Sequence, residues 1–301
     1  MVLLGIALGL LAATSQSVSY LFSRLYCLGP GASLRRLLVI SHVIQGAVSL
    51  PLVVLAWPAD VGPVRLWIVP VLATAGFYLV GQTCLLIALR YTTASRVAPL
   101  LGLKVVTVAL LTVVVLGDHV SVGQWLAVGL AVMGAFVLNH TGGSLPPPAL
   151  AAIAGACLGY TGSDFHIRVT LEAMPDVPPV HASFFAMAAT YLICGLAAMP
   201  LLPWYGSRQF RQWTAATPYA LSWLTAMGFL FACFALAGLV LGNIVQSLRG
   251  LISIALAGML ASYGLVHLEA KLTRRVYWRR FAAAVLMTAA VALFVLAGTE
   301  G

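Results

Sequence analysis

The chain has 301 residues, of which 62% are apolar or aromatic and only 8% charged, against about 25% charged in an ordinary soluble domain. No water-soluble fold hides that much apolar surface. At about 20 residues per crossing plus short connectors, about ten membrane crossings use up the whole length, which excludes a large soluble domain. The 16 Lys and Arg outnumber 7 Asp and Glu, but most cations fall in short connectors between apolar runs, the pattern of a membrane protein's cytoplasmic face rather than of a nucleic-acid binder.

The first run, at about 2–22, lacks a basic leader and a clear cleavage site and is as long as a full span, so it reads as a retained first helix. It carries Ser15 and Ser19 on one face and Gln16 and Tyr20 on the next. Runs at about 36–57, 66–89, 95–116 and 122–139 follow, then a Pro/Gly-rich linker at 141–148, then runs at about 149–169, 180–203, 217–240, 243–265 and 278–298. Five runs, a hinge and five again predict an internal duplication, with 1–140 and 149–301 as the repeats. An odd number of crossings per repeat makes the two insert in opposite senses. Lipid offers no hydrogen-bond partner to an open sheet, and these runs do not alternate in polarity as barrel strands would. The expected fold class is therefore an all-α integral membrane protein with ten transmembrane helices in two inverted five-helix repeats.

Ionisable side chains at membrane depth cost roughly 2.5–3.5 kcal/mol, so each is a functional candidate. Lys104 in the fourth run and Arg249 in the ninth occupy corresponding helices of the two halves and are candidate ligands for a negatively charged substrate. Asp164 has two available partners. Arg168 stands at i+4 on the same helix; alternatively Lys104 or Arg249 holds the carboxylate until a proton takes their place, which makes it a coupling residue. His42, whose ordinary pKa of about 6.5 suits a response to a gradient, is a second coupling candidate. Ser15, Ser19, Gln82, Asn243 and Gln246 add uncharged hydrogen-bonding groups, a lining suited to a small polar ligand. Trp57, Trp67, Trp204, Trp213 and Trp278 fall near run ends, where interfacial belts form.

Five cysteines stand singly, with no C-x-x-C, so neither a zinc site nor a disulfide framework is expected. No H-E-x-x-H, G-x-S-x-G or phosphate loop is present, so the sequence points to no enzyme, no cofactor and no direct use of ATP.

The stretch Ala88 to Ser95, the turn Gly117-Asp118-His119-Val120-Ser121, the helix Gly123 to Leu138 and a second acid turn at Glu269 resemble the EamA-type drug/metabolite transporter superfamily. In that family the turn reads Gly-Glu-x-Leu-Thr at the end of each repeat. The resemblance implies a ten-helix secondary transporter with a central cavity between inverted repeats, and it implies no particular substrate. Here Asp118 replaces the Glu, no Gly precedes Glu269, and Lys104 and Val105 stand where a mid-helix proline is common. Asp118 and Glu269 read as turn residues ahead of the N-caps Ser121 and Thr273.

On the ten-span reading, twelve cations lie on one side, including Arg24, Arg35, Arg36, Arg90 and the cluster Lys271 to Arg280, against Arg65 and Arg168 on the other. The positive-inside rule then places both termini outside the cytoplasm, whereas the resemblance implies cytoplasmic termini. The functional expectation is alternating-access transport of small polar metabolites, amino acids or organic acids, across the inner or plasma membrane. A lipid-linked carrier flippase, a drug exporter and a noncatalytic membrane-complex subunit are the alternatives. The expected partners are a small-molecule substrate, membrane lipids, protons as coupling ion and a second copy in a homodimer, with no nucleic acid.

Overall fold

A computed structural model describes residues 1–104, 106–107, 121–140, 144–263 and 273–298, and no strand occurs among them. In chain order the helices are α1 (Val2–Cys27), α2 (Leu34–Leu55), α3 (Val64–Leu89), α4 (Ala94–Leu100), α5 (Val122–Asn139), α6 (Pro147–Glu172), α7 (Pro179–Ala198), α8 (Phe210–Ser247), α9 (Arg249–Ser262) and α10 (Arg274–Gly298). A 3-10 turn, Leu101–Leu103, prolongs α4, and a single helical turn, Leu202–Tyr205, follows α7.

The helix starts follow from local chemistry. Ser33 caps α2 by accepting from the Arg36 N–H at 3.2 Å. Ser121 opens α5 with a reciprocal box: its Oγ accepts from the Gln124 N–H at 3.2 Å, and Gln124 Oε1 accepts from the Ser121 N–H at 2.8 Å. Pro147 and Pro179 stand at first helical positions, where a missing N–H costs nothing. The acid turns at Asp118 and Glu269 lie outside the described residues.

Seven described segments are long and apolar enough to cross a membrane: Val2–Cys27, Leu34–Leu55, Val64–Leu89, Pro179–Tyr205, Phe210–Leu239, Leu241–Ser262 and Arg274–Phe294. The expected count of ten exceeds this for identifiable reasons. The fourth run is described only in part, α5 has 18 residues, and α6 is diluted by Thr161, Ser163, Asp164, His166 and Arg168. Within α8, Gly238 takes φ +80° and ψ 162°, which parts the eighth apolar run from the ninth.

The four most extensive contacts join helices before the linker to helices after it, α1 with α8, α3 with α6, α2 with α7 and α5 with α10, and α4 meets α9 in the same way. Two of these crossings are set by glycine. A Cβ on Gly159 would sit 2.5 Å from the Gly81 N, and one on Gly195 would sit 2.5 Å from the Gly46 Cα, so α6 meets α3 and α7 meets α2 backbone to backbone. One main core contains Trp223, Tyr191, Tyr219 and Phe231, and a small separate one joins Ala127 and Ala131 of α5 to Ala290 and Phe294 of α10. Leu3, Leu55, Trp204 and Phe210 project outward, as a lipid-facing surface requires.

The connectors α1–α2, α3–α4 and α7–α8 gather at one end of the bundle. Arg36 Nε donates to the Gly206 carbonyl at 3.2 Å, and Gln212 Nε2 donates to the Pro30 carbonyl at 2.8 Å. Arg96 and Arg280, counted above among the surface cations of that end, are buried instead. The tryptophans divide likewise: Trp57, Trp204 and Trp278 are exposed, whereas Trp67 is buried edge-on against Phe185 at 5.1 Å.

Candidate functional site

Where α1, α3, α6, α7, α8 and α9 converge with the segment that follows α4, a narrow cavity leaves about 20 Å³ of room. Its polar lining is Gln16, Lys104, Ser163, Asp164, Gln246 and Arg249, and its aromatic lining is Tyr78, Tyr160, Tyr191, Trp223 and Phe231. That is room for about one water molecule and well short of the roughly 300–1,000 Å³ usual for small-molecule sites, so a larger ligand enters only when the lining moves apart.

Both cations enter at a break in their helix. Lys104 follows the 3-10 turn that ends α4, and Arg249 follows Leu248, the turn residue between α8 and α9. The Lys104 ammonium donates to the Asp164 carboxylate, to Asn243 Oδ1 at 3.0 Å and to Gln246 Oε1 at 3.4 Å. Its three protons thereby find three acceptors, and Asp164 and Lys104 are both buried. The i+4 partner available to Asp164 is taken elsewhere. Arg168 Nε donates to Glu172 Oε1 at 2.7 Å, in a pair more than half exposed.

Arg249 is placed differently. It is 4% exposed, its Nη1 donates to Gln16 Oε1 at 3.1 Å, and no carboxylate among the described residues pairs with it. Its own carbonyl accepts from Ser17 Oγ at 3.2 Å, and Ser17 bonds Ser253 at 3.0 Å. The two cations are thus held by helices on opposite sides of the linker: Lys104 by an acid of α6, Arg249 by a neutral amide of α1. The cavity keeps one positive charge uncompensated.

The other sequence candidates lie behind or beside this lining. Gln82 sits one layer back, where its Oε1 accepts from the Tyr160 hydroxyl at 2.6 Å and its Nε2 donates to the Tyr219 oxygen. Ser15 and Ser19 do not line the cavity; the adjacent face of α1 does, through Gln16, while Ser19 bonds its own helix at the Gln16 carbonyl. His42 bonds the Leu38 carbonyl through Nδ1 at 2.6 Å and packs 5.6 Å from the Tyr78 ring, outside the cavity. The aromatic wall escaped the sequence reading. Tyr78 lies 5.0 Å from Tyr191, whose hydroxyl accepts from Trp223 Nε1 at 3.0 Å. The spacings Tyr78 to Gln82 and Tyr160 to Asp164, both i to i+4, were the available signal.

Residues 3–140 match the EamA-like transporter family. The first half of the chain is EamA-like. A solved crystal structure of a protein is similar over 97% of this chain and 98% of its own, with TM-score 0.59 and 15% identity, so the two share a fold over nearly their whole lengths. No curated protein matches the sequence. With seven apolar spans among the described residues and a first half similar to a transporter family, the chain is a multi-pass membrane protein. Lys104 lies inside the matched segment, and Arg249 lies beyond it.

Two clefts flank the cavity. One, of about 1,150 Å³, is lined by Tyr20, Ser23, Arg24, Leu34, Arg90 and Thr93 among others. The second, of about 1,070 Å³, is lined by Arg168, Leu171, Glu172, Ala182, Ala235 and Gly238 among others. Taken in order, the two sets occupy matching places in the helix sequence before and after the linker. Each cleft comes within one helical turn of the cavity, at Gln16 to Tyr20 on α1 and Asp164 to Arg168 on α6.

Proposed function

We propose that the protein is a secondary transporter of a small carboxylate-bearing metabolite, an organic acid or amino acid, in the inner or plasma membrane. The observation that carries this reading is the buried Arg249 guanidinium, open to the cavity and without a carboxylate partner. A cation in so dry a place is costly unless a counter-charge arrives. A planar carboxylate meets the guanidinium fork in two parallel hydrogen bonds. The tyrosine and tryptophan wall would take the apolar body of the same ligand.

In this reading 1–140 and 149–301 are inverted repeats about the linker 141–148, ten helices in all, and they rock about the cavity. Three features support it. Exchange of the halves turns the α1–α8 contact into the α6–α3 contact and maps α2–α7, α4–α9 and α5–α10 onto themselves. The two clefts occupy matching places. Finally, each cleft stops within one turn of the cavity, on α1 in one case and on α6 in the other, so that opening either gives access from one side.

Asp164 serves as the coupling group. A ligand that draws Lys104 toward its own negative charge leaves the carboxylate buried without a cation, and a proton then restores neutrality. His42, with its bonded Nδ1 and its place outside the cavity, would act only through Tyr78. A cationic-drug exporter would need an available acid, and Asp164 is already held by Lys104.

Uptake of radiolabelled amino acids and organic acids into proteoliposomes tests the assignment. Arg249→Ala is expected to lose at least ten-fold in uptake while remaining folded, and Asp164→Asn to keep substrate exchange while losing its response to a pH gradient. Unaltered uptake kinetics in both Lys104→Ala and Arg249→Ala would sink it.

A further inference from the structure

At the basic end of the bundle a cleft of about 540 Å³, which adjoins the first flanking cleft through Leu34 and Arg90, is lined by Ser33, Leu34, Arg35, Arg36, Arg90, Trp204 and Tyr205. Arg35 and Arg36 come from the first turn of α2, Arg90 from the end of α3, and Trp204 and Tyr205 from the turn after α7. Arg36 is already committed to the Gly206 and Gly31 carbonyls, which ties the α1–α2 connector to the α7–α8 connector and fixes the cleft. Arg35 and Arg90 are exposed and make no ion pair or side-chain hydrogen bond among the described residues. The described acids lie elsewhere: Asp60, Glu172 and Asp176 at the opposite end and Asp164 in the cavity.

We infer that this cleft binds the headgroup of an anionic phospholipid, with its phosphate on Arg35 and Arg90. Two observations favour a lipid over a soluble phosphate. The cleft opens at the ends of apolar spans, and its rim is apolar: Trp204 is 73% exposed, and Leu201 and Leu28 nearby are 41% and 55% exposed. Trp and Tyr at such a rim sit at headgroup depth, and acyl chains cover the exposed leucines below. The guanidinium forks then meet the phosphate oxygens in paired hydrogen bonds while the diester stays in the plane of the interface.

The full-length protein in detergent provides the test, with phosphatidylglycerol, phosphatidylcholine and soluble glycerol phosphate as probes and the thermal midpoint and native mass spectrometry as readouts. Phosphatidylglycerol is expected to bind saturably and raise the midpoint, and phosphatidylcholine is not. Each arginine near an anionic lipid contributes about five-fold in affinity, so Arg35→Gln with Arg90→Gln weakens phosphatidylglycerol binding by roughly 30-fold. Arg208→Gln with Arg211→Gln removes two exposed cations from the same end outside the cleft and leaves most of the affinity. Equal binding of the two lipids, an equal loss in the Arg208/Arg211 pair, or full stabilisation by glycerol phosphate alone would each overturn the inference. The cleft shares no residue with the cavity, and lipid binding in detergent involves no transport, so the binding result stands or falls apart from the transport reading even though Leu34 and Arg90 also line the larger cleft beside it.

Discussion

Lys104 and Asp164 form a buried pair whose members cannot be removed singly without cost. Lys104→Ala leaves a carboxylate buried beside Asn243 and Gln246, neither of which supplies a charge. Breaking a buried pair in this way costs about 3–5 kcal/mol, whereas replacing both partners with apolar residues of similar size is close to neutral. Thermal unfolding in detergent should therefore show a large drop in midpoint for Lys104→Ala and recovery of most of it in Lys104→Met with Asp164→Leu. A double variant no more stable than the single one contradicts the pairing. The residue types at membrane depth were readable from the chain, because ions in apolar runs stand out. Which groups meet was not. The bond between Lys104 and Asp164 joins residues on either side of the linker, and sequence spacing offered Asp164 the nearer Arg168, which α6 directs to Glu172. Gln16 rather than Ser15 faces the cavity because a one-residue step turns a helix by about 100°, and only the packing of α1 on α8 decides which face is inside.

At the level of the helix, breaks and close crossings decide where side chains point. Gly159→Leu would drive a side chain into the Gly81 backbone and separate α6 from α3, at about 1–3 kcal/mol or more. Gly129→Ala is the matched control, since a Cβ there meets nothing within 4 Å. Size-exclusion profiles and thermal midpoints of the two variants should differ, with only Gly159→Leu losing monodispersity. Gly238 tests the backbone separately. A Cβ there also meets nothing within 4 Å, but φ +80° with ψ 162° is open essentially to glycine alone, so Gly238→Ala should lower stability by about 1–3 kcal/mol through strain. An unchanged midpoint would show that the eighth and ninth runs can join without this kink. Apolar runs predict where these helices lie, and Ser121 predicts its own capping box. The interruptions at Leu101–Leu103 and Leu248 have no such signature, because neither contains a proline and both depend on tertiary bonds to the residues just after them.

For the whole molecule, the unequal treatment of the two cavity cations is the main feature. The halves present Lys104 and Arg249 to one cavity, then neutralise the first with Asp164 and leave the second on Gln16. In the proposed function such a site attracts one negative charge and holds it against an aromatic wall. Composition predicted a multi-pass helical bundle and the family resemblance implied a central cavity, while the aromatic wall emerged only from packing, since tyrosine and tryptophan in an apolar run look the same whether they face lipid, core or ligand. The most direct measurement is the thermal shift of purified wild type and Arg249→Ala across amino acids, organic acids and lipophilic cations. A ligand at 100 times its dissociation constant stabilises the native state by about 2.7 kcal/mol. The proposal predicts that at least one carboxylate stabilises the wild type and fails to stabilise Arg249→Ala. Stabilisation by lipophilic cations alone, or an Arg249→Ala response equal to that of the wild type, would contradict it.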